Sequence, residues 1–335
     1  IRQSPLFRLG FIFVLSACSP TGISSNLPAA TVAPSSALRV AAATFKQFDV
    51  PTPDSEPYKI AQGANGAFYF TEFAGDNIGE ITTAGKITEF KVPTSGAKPD
   101  GITLGPDNNI WFAEGAGDKI VKMTAAGKFA SYDVPTADAG PSVVKAGTGS
   151  VLWFTERDAD KIGQVTTAGK FKEFPIPTPQ SGPSGLTIGP DKAIWFTEVD
   201  GDKIGRMTPA GKFTEFKIPQ VSAEPGGIAV GADGALWFTE FDSDSIGRVT
   251  TAGKFSQFKI ATPDSGPFVI EAGSGKTLWF TEFGAGKVGS ITTAGKITEF
   301  AVPGGSQYVP AGEAFSSGSL WVPEYAADKV LHFTP

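Results

Sequence analysis

A single 42-residue pattern recurs seven times along this chain, and that recurrence restricts the fold more than any other feature. The segment IWFTEVDGDKIGRMTPAGKFTEF at residues 194–216 returns at 236–258 as LWFTEFDSDSIGRVTTAGKFSQF. The glutamate that closes each W-F-T-E-like run falls at Glu72, Glu114, Glu156, Glu198, Glu240, Glu282 and Glu324, a constant step of 42 residues. A period in the low forties, built of several short apolar runs, is that of a propeller blade. Four strands are expected per unit; in the second they are an inner strand at 101–105, then 110–114, 119–124 and an outer strand at 128–134. Turns such as Thr82-Thr83-Ala84-Gly85-Lys86 join the last two, with glycine taking the left-handed residue of the hairpin.

Composition agrees with strands. The chain has 41 Gly and 26 Pro among its short apolar runs, and no helical spacing of apolar residues persists beyond the first residues. The expectation is an all-β, seven-bladed β-propeller of 42-residue four-stranded blades over residues 43–335. Its closure is also readable. The seventh unit stops at L-H-F-T-P after its third strand, whereas Phe45-Lys46-Gln47-Phe48-Asp49-Val50-Pro51 matches the outer strand Ile87-Thr88-Glu89-Phe90-Lys91-Val92-Pro93. An N-terminal strand that completes the last blade leaves no open edge between the termini.

Ahead of the repeats, Arg2 and Arg8 precede an apolar run and Leu15-Ser16-Ala17-Cys18. Residues 1–17 therefore read as a lipoprotein-type signal peptide, with Cys18 as the lipidation site and an attachment to the membrane through it. Residues 18–42, rich in Ser, Pro, Ala and Thr, read as a flexible tether. The expected location is outside the inner membrane, periplasmic or at the cell surface, as a monomer. Cys18 is the sole cysteine, so disulfides are excluded. The chain carries a net charge of -6, and nucleic acid is not an expected partner because phosphate binding needs a basic footprint.

Seven copies supply an internal control: a residue present in every blade is explained by packing, and only departures from the pattern mark a unique site. The tryptophans Trp111, Trp153, Trp195, Trp237, Trp279 and Trp321 share one position, taken by Tyr69 in the first unit, and are assigned to the core. Met123 and Met207 are assigned there too. The W-F-T-E glutamates are assigned to holding the following loop, and the aspartates of pairs such as Asp118-Lys119, Asp160-Lys161 and Asp202-Lys203 to solvated turns.

The start of each inner strand and the end of each second strand emerge on one face, around the central channel. After the prolines of that face come Tyr58, Asp100, Ser142, Ser184, Gly226, Phe268 and Ala311; after the glutamates come Phe73, Gly115, Arg157, Val199, Phe241, Phe283 and Tyr325. An aromatic arc of Tyr58, Phe268, Tyr325 and Tyr308 is expected opposite a polar arc of Asp100, Ser142, Arg157 and Ser184. Such a face suits a small amphipathic molecule or a protein partner.

The runs L-W-F-T-E, K-I-G-R-M-T and G-K-F-T-E-F resemble those of the streptogramin (virginiamycin B) lyase family over about residues 44–335. The resemblance implies a seven-bladed propeller that uses Mg²⁺ to open the lactone of cyclic depsipeptide antibiotics by elimination. It also implies histidines in P-H-A-I and P-H-G-I segments of the last two blades and a glutamate beside the final W-F run. Carried onto this chain, the histidine positions become Phe268, in G-P-F-V-I, and Ala311, in V-P-A-G-E; the glutamate becomes Glu324. The single histidine, His332, falls on a third strand, remote from the candidate face, and for nucleophilic chemistry there is no thiol in the folded domain and no G-x-S-x-G elbow.

The expectation is therefore a binding scaffold without lyase catalysis, with no cofactor and no metal site. The alternative is a carbon–oxygen lyase that uses a carboxylate or tyrosine base, with Glu324, Tyr325 and Asp100 as candidates and Mg²⁺ as cofactor only in that case.

Overall fold

The structure, a computed structural model, describes residues 43–335. The segments expected as signal peptide and tether, with Cys18, fall outside the described residues. Seven four-stranded antiparallel sheets follow one another along Ala43–Pro335. Six are built from consecutive strands; the first of these comprises β2 (Pro57–Gln62), β3 (Phe68–Glu72), β4 (Asn77–Ile81) and β5 (Ile87–Lys91). The seventh has the order β1-β28-β27-β26, joining β26 (Ala314–Ser316), β27 (Ser319–Glu324) and β28 (Lys329–Thr334) to the N-terminal β1 (Thr44–Asp49). The expected closure is observed, with Thr44 opposite Thr334 and Asp49 opposite Lys329.

Why this repeat makes blades is visible in its fixed residues. In five blades the phenylalanine ring of the second strand lies across a glycine of the third, at Gly79, Gly163, Gly205, Gly247 and Gly289: a Cβ on Gly205 would collide with the Phe196 ring. The tryptophans sit between blades, all nearly or fully buried, and Trp111, Trp195 and Trp237 donate their indole N–H to Asp107, Asp191 and Asp233 at 2.8, 3.0 and 3.0 Å. Met123 and Met207 are fully buried, as assigned. His332 lies flat on Trp321 and shares a 2.9 Å hydrogen bond with Ser319.

Two assignments need correction. The turn aspartates are not simply solvated: each reaches the backbone of the loop that leads into the next blade. Asp160 accepts N–H groups from Gln180, Ser181 and Gly182 at 2.6, 2.7 and 3.1 Å, and Asp328 accepts those of Asp54, Ser55 and Glu56 at 2.6, 2.8 and 3.3 Å. A carboxylate holding several backbone donors is a strong link, and the Asp328 link ties the seventh blade to the first. Among the W-F-T-E glutamates, only Glu72, through Asn77, and Glu240, through Ser243, grip the loop that follows by a hydrogen bond, both at 2.8 Å. All seven are buried and burial raises the pKa of each, to about 8 for Glu72, Glu156, Glu198 and Glu282 and well above the usual range for Glu324.

Candidate functional site

The inner strands of the first six blades share one irregularity that decides what faces the channel. In β2, Pro57 pairs with Glu72 and Ile60 with Phe70, so Tyr58 and Lys59 together oppose Thr71. The same shift recurs after Pro99, Pro141, Pro183, Pro225 and Pro267. A bulge of this kind breaks the alternation of a strand and re-aims the extra side chain. The threonine of W-F-T-E stabilises it, since its hydroxyl accepts the bulge N–H: Thr71 from Lys59 at 3.0 Å, Thr197 from Gly185 at 2.8 Å and Thr239 from Gly227 at 2.9 Å.

Around the mouth, the expected aromatic arc is present and larger than the sequence suggested. Tyr58 lies 6.0 Å from Phe268, 5.8 Å from Tyr325 and 5.6 Å from Phe73 between ring centroids. Phe283 bridges Phe268 and Tyr325 at 5.4 and 6.3 Å, and Phe241 extends the wall into the fifth blade at 6.5 Å from Phe268. Tyr308 does not join it; its ring packs with Phe300 and Phe315 against the core shared by the last two blades.

Tyr58, Asp100, Ser142, Ser184 and Phe268 line one cavity of about 100 Å³. Ser142 donates to Asp100 Oδ2 at 2.7 Å, while Asp100 Oδ1 is buried with no hydrogen-bond partner. Burial raises the Asp100 pKa, opposed by the charge of Lys59, the Ser142 hydrogen bond and the charge of Arg157. Arg157, after the third glutamate, acts on this group through its field, and on Tyr58 as well. Deeper, Lys145, Glu271 and Glu313 line the same cavity, and burial raises the pKa of both glutamates.

Lys59 is the residue that the sequence reading passed over. Its Nζ donates to the Ala311 carbonyl at 2.9 Å and stands 3.9 Å from the Phe268 ring centroid and 4.4 Å from that of Tyr58. Desolvation lowers its pKa to about 7, with the charge of Lys145 acting the same way and those of Asp100 and Glu313 opposing. The signal was available: its pattern position holds Gly101, Gly185, Gly227 and Gly312 in other blades, and Val143 and Val269 in two.

Two of the candidate bases fail on geometry. Glu324 is fully buried beneath the mouth, both carboxyl oxygens lack hydrogen-bond partners, and desolvation alone holds it protonated. Tyr325 donates its hydroxyl to Glu56 at 2.6 Å, and burial together with that carboxylate drives its pKa upward. Asp100 does reach the cavity. Among the described residues no three Asp, Glu, His or Cys side chains converge as a metal cage. Of the cavity's carboxylates, Asp100 accepts from Ser142 and, like Glu313, lies in the field of Lys59, and Glu271 lies in that of Lys145; a Mg²⁺ ion, which takes oxygen ligands around it, would compete with those ammonium groups for them.

The model of the virginiamycin B lyase family matches residues 37–149 and 99–335. No curated protein matches the chain. Among solved structures, virginiamycin B lyase from Staphylococcus aureus is 38% identical, with a TM-score of 0.84, over 88% of this chain and 99% of that one. A streptogramin B lyase is 36% identical, with a TM-score of 0.84, over 87% and 97%. A catalytically inactive histidine-to-alanine variant of the Staphylococcus aureus enzyme, solved with quinupristin, is 38% identical with the same TM-score, over 88% and 99%.

That likeness overturns the expectation of a scaffold without catalysis. The expectation rested on missing histidines, yet proton transfer needs only a positioned group of suitable pKa, and histidine is one of several that qualify. The chain belongs to the virginiamycin B lyase family.

Proposed function

We propose that the chain is a carbon–oxygen lyase that opens the lactone of a cyclic depsipeptide of the type B streptogramin class by elimination. The observation that carries this reading is the 38% identity over 99% of a solved virginiamycin B lyase. The mouth suits such a ligand: an aromatic wall from Phe241 to Phe73 faces Asp100 and Ser142 across the channel. A cavity of about 100 Å³ is too small for a whole depsipeptide, so the macrocycle lies over the mouth with its ester above the cavity.

In the reaction, a base removes the proton α to a carbonyl, and that C–H electron pair becomes the new carbon–carbon double bond. The neighbouring C–O bond breaks and its pair leaves with the carboxylate, so the product has the mass of the substrate. Asp100, on the cavity wall and hydrogen-bonded by Ser142, is the acidic group nearest the proposed seat of the ring. The family's histidines are absent at the positions that fall on Phe268 and Ala311, so the base comes from another residue. No step here runs through Mg²⁺.

A lipid anchor at Cys18 and an extracytoplasmic location belong to the same proposal, resting on the leader sequence; among the described residues no helix is long and apolar enough to cross a membrane. The test is chromatographic. Purified Ala43–Pro335 is incubated with a type B streptogramin, with and without Mg²⁺. A new product of unchanged mass supports the reading; a product heavier by one water, or none at high enzyme concentration, refutes it.

A further inference from the structure

We propose that Lys59 is the general base of this site, its uncharged amine taking the α-proton of the bound lactone. The proposal rests on the lyase reading above and adds a residue that the family resemblance does not supply.

Three geometric observations carry it. Lys59 breaks a pattern position where the ring leaves no room for a side chain in most blades: a Cβ on Gly312 would stand 2.5 Å from the Tyr58 carbonyl oxygen and 3.0 Å from the Lys59 Cα. A long side chain there is a departure confined to the first blade. Second, the bulge in β2 fixes the backbone, since the Lys59 N–H is held by Thr71, and the amine is thereby presented from a rigid strand rather than a loop. Third, the amine is delivered between the Phe268 ring and the Ala311 carbonyl, the two places where a proton acceptor was expected and no side chain can serve.

The surroundings suit a base that works near neutral pH. Burial strips most of the ammonium's water and lowers its pKa to about 7, while the two ring faces and the Ala311 carbonyl pull the other way. Three neighbouring charges act on it: Lys145 from the third blade disfavours the ammonium, while Asp100 from the second and Glu313 from the seventh favour it. Of the other ionisable groups there, Tyr58 and Tyr325 are held protonated, chiefly by burial, Glu56 accepts the Tyr325 hydroxyl, Arg157 acts on Tyr58 and Asp100 through its charge, and burial raises the pKa of Glu271. A lysine poised in this way serves as a base in its neutral form.

The electron bookkeeping is complete with groups already named. The lone pair of Lys59 Nζ forms the new N–H bond, the α C–H pair becomes the double bond, and the ester C–O pair departs on the carboxylate. The resulting ammonium returns its proton to water through the channel mouth, which restores the amine.

The experiment pairs turnover with a direct reading of the amine. Lysine labelled with ¹³C at Cε is incorporated into Ala43–Pro335, the Lys59 signal is assigned by its loss in Lys59→Met, and the shift is followed from pH 5 to 11. A midpoint near 7 is expected, with the acid limb of kcat/KM on a type B streptogramin following it. Lys59→Met and Lys59→Arg, checked for native circular dichroism, should each lose about 10²–10⁴-fold in kcat with little change in KM, the range for a missing general base. Small primary amines added to Lys59→Met should restore part of the rate. An amine that stays charged beyond pH 9 overturns the assignment whatever the turnover. Activity kept in Lys59→Arg overturns it as well, because arginine keeps the charge and cannot act as the base. A wild-type chain inactive on every lactone refutes the lyase reading itself, whereas an active wild type with an undiminished Lys59→Met refutes only the role of Lys59.

Discussion

Replacing Glu198 by glutamine should make the protein more stable at alkaline pH and leave it nearly unchanged in acid. Glu198 ends β15 (Ile194–Glu198), is fully buried, and neither carboxyl oxygen has a hydrogen-bond partner. Its neighbour Glu215 is already satisfied, accepting from Thr178 at 2.8 Å and pairing with Lys203 at 3.2 Å. Burial first, and the Glu215 charge second, raise the Glu198 pKa from 4.5 to about 8, against a smaller opposing pull from Lys203. A folded-state pKa raised above the unfolded one means that the folded chain keeps a proton the unfolded chain has lost. Stability therefore falls as pH rises from about 4.5 to about 8, and the whole penalty is present above that window.

For this displacement the linkage amounts to roughly 4–5 kcal/mol between the two ends of the window. Glutamine has nearly the same shape and does not titrate, so it escapes the penalty. Urea unfolding of wild type and Glu198→Gln at pH 5, 7 and 9 checks the sign and the size. The two should differ by about 1 kcal/mol or less at pH 5, the net worth of a single hydrogen bond. At pH 9 the variant should be the more stable by several kcal/mol. A difference that stays constant across pH, or a variant that loses stability relative to wild type as pH rises, refutes the account of these glutamates as buried neutral acids.

Two further outcomes follow from the same contacts. Asp328→Ala removes the acceptor of three backbone N–H groups at the junction of the seventh and first blades; a loss of about 2–4 kcal/mol is expected, with faster proteolytic cleavage near β1, and an unchanged urea midpoint would contradict the closure assigned to it. Tyr58→Ala combined with Tyr325→Ala removes two rings that touch at 5.8 Å in the middle of the wall; KM for a type B streptogramin should rise by about 10-fold or more while kcat changes less, and unchanged KM would exclude the wall as the seat of the substrate.

Most of the fold was legible because the repeat makes its own alignment. In the second blade the strands run Pro99–Leu104, Ile110–Glu114, Lys119–Met123 and Phe129–Asp133, each within two residues of the expected span. The inner strand starts earlier because the bulge lies inside it, and nothing in P-D-G-I announces that two residues will face one. The turn aspartates were misread for a different reason. Asp160 is exposed enough in sequence terms to pass as a solvated turn, and its backbone partners are 20 to 22 positions away in the next blade. A link that lies between repeats is invisible to a reading made within one repeat.

The site divides along the same line. Tyr58, Asp100, Ser142, Ser184 and Phe268 were found because they occupy the first bulge residue, where the copies differ and the chain after each proline could be compared directly. The second bulge residue was not compared, and there four glycines make the position look like a constraint of packing. They are that: inner strands of adjacent blades approach so closely that a Cβ on Gly101 would meet the Ser142 carbonyl at 2.5 Å. Crowding of this kind is what gives Lys59 its character. A side chain admitted where the backbone packs tightly is cut off from water, and an amine so buried loses much of its preference for the charged form even with ring faces and a carbonyl beside it. The constraint that explains the glycines thus also explains why the one lysine among them is suited to take up a proton.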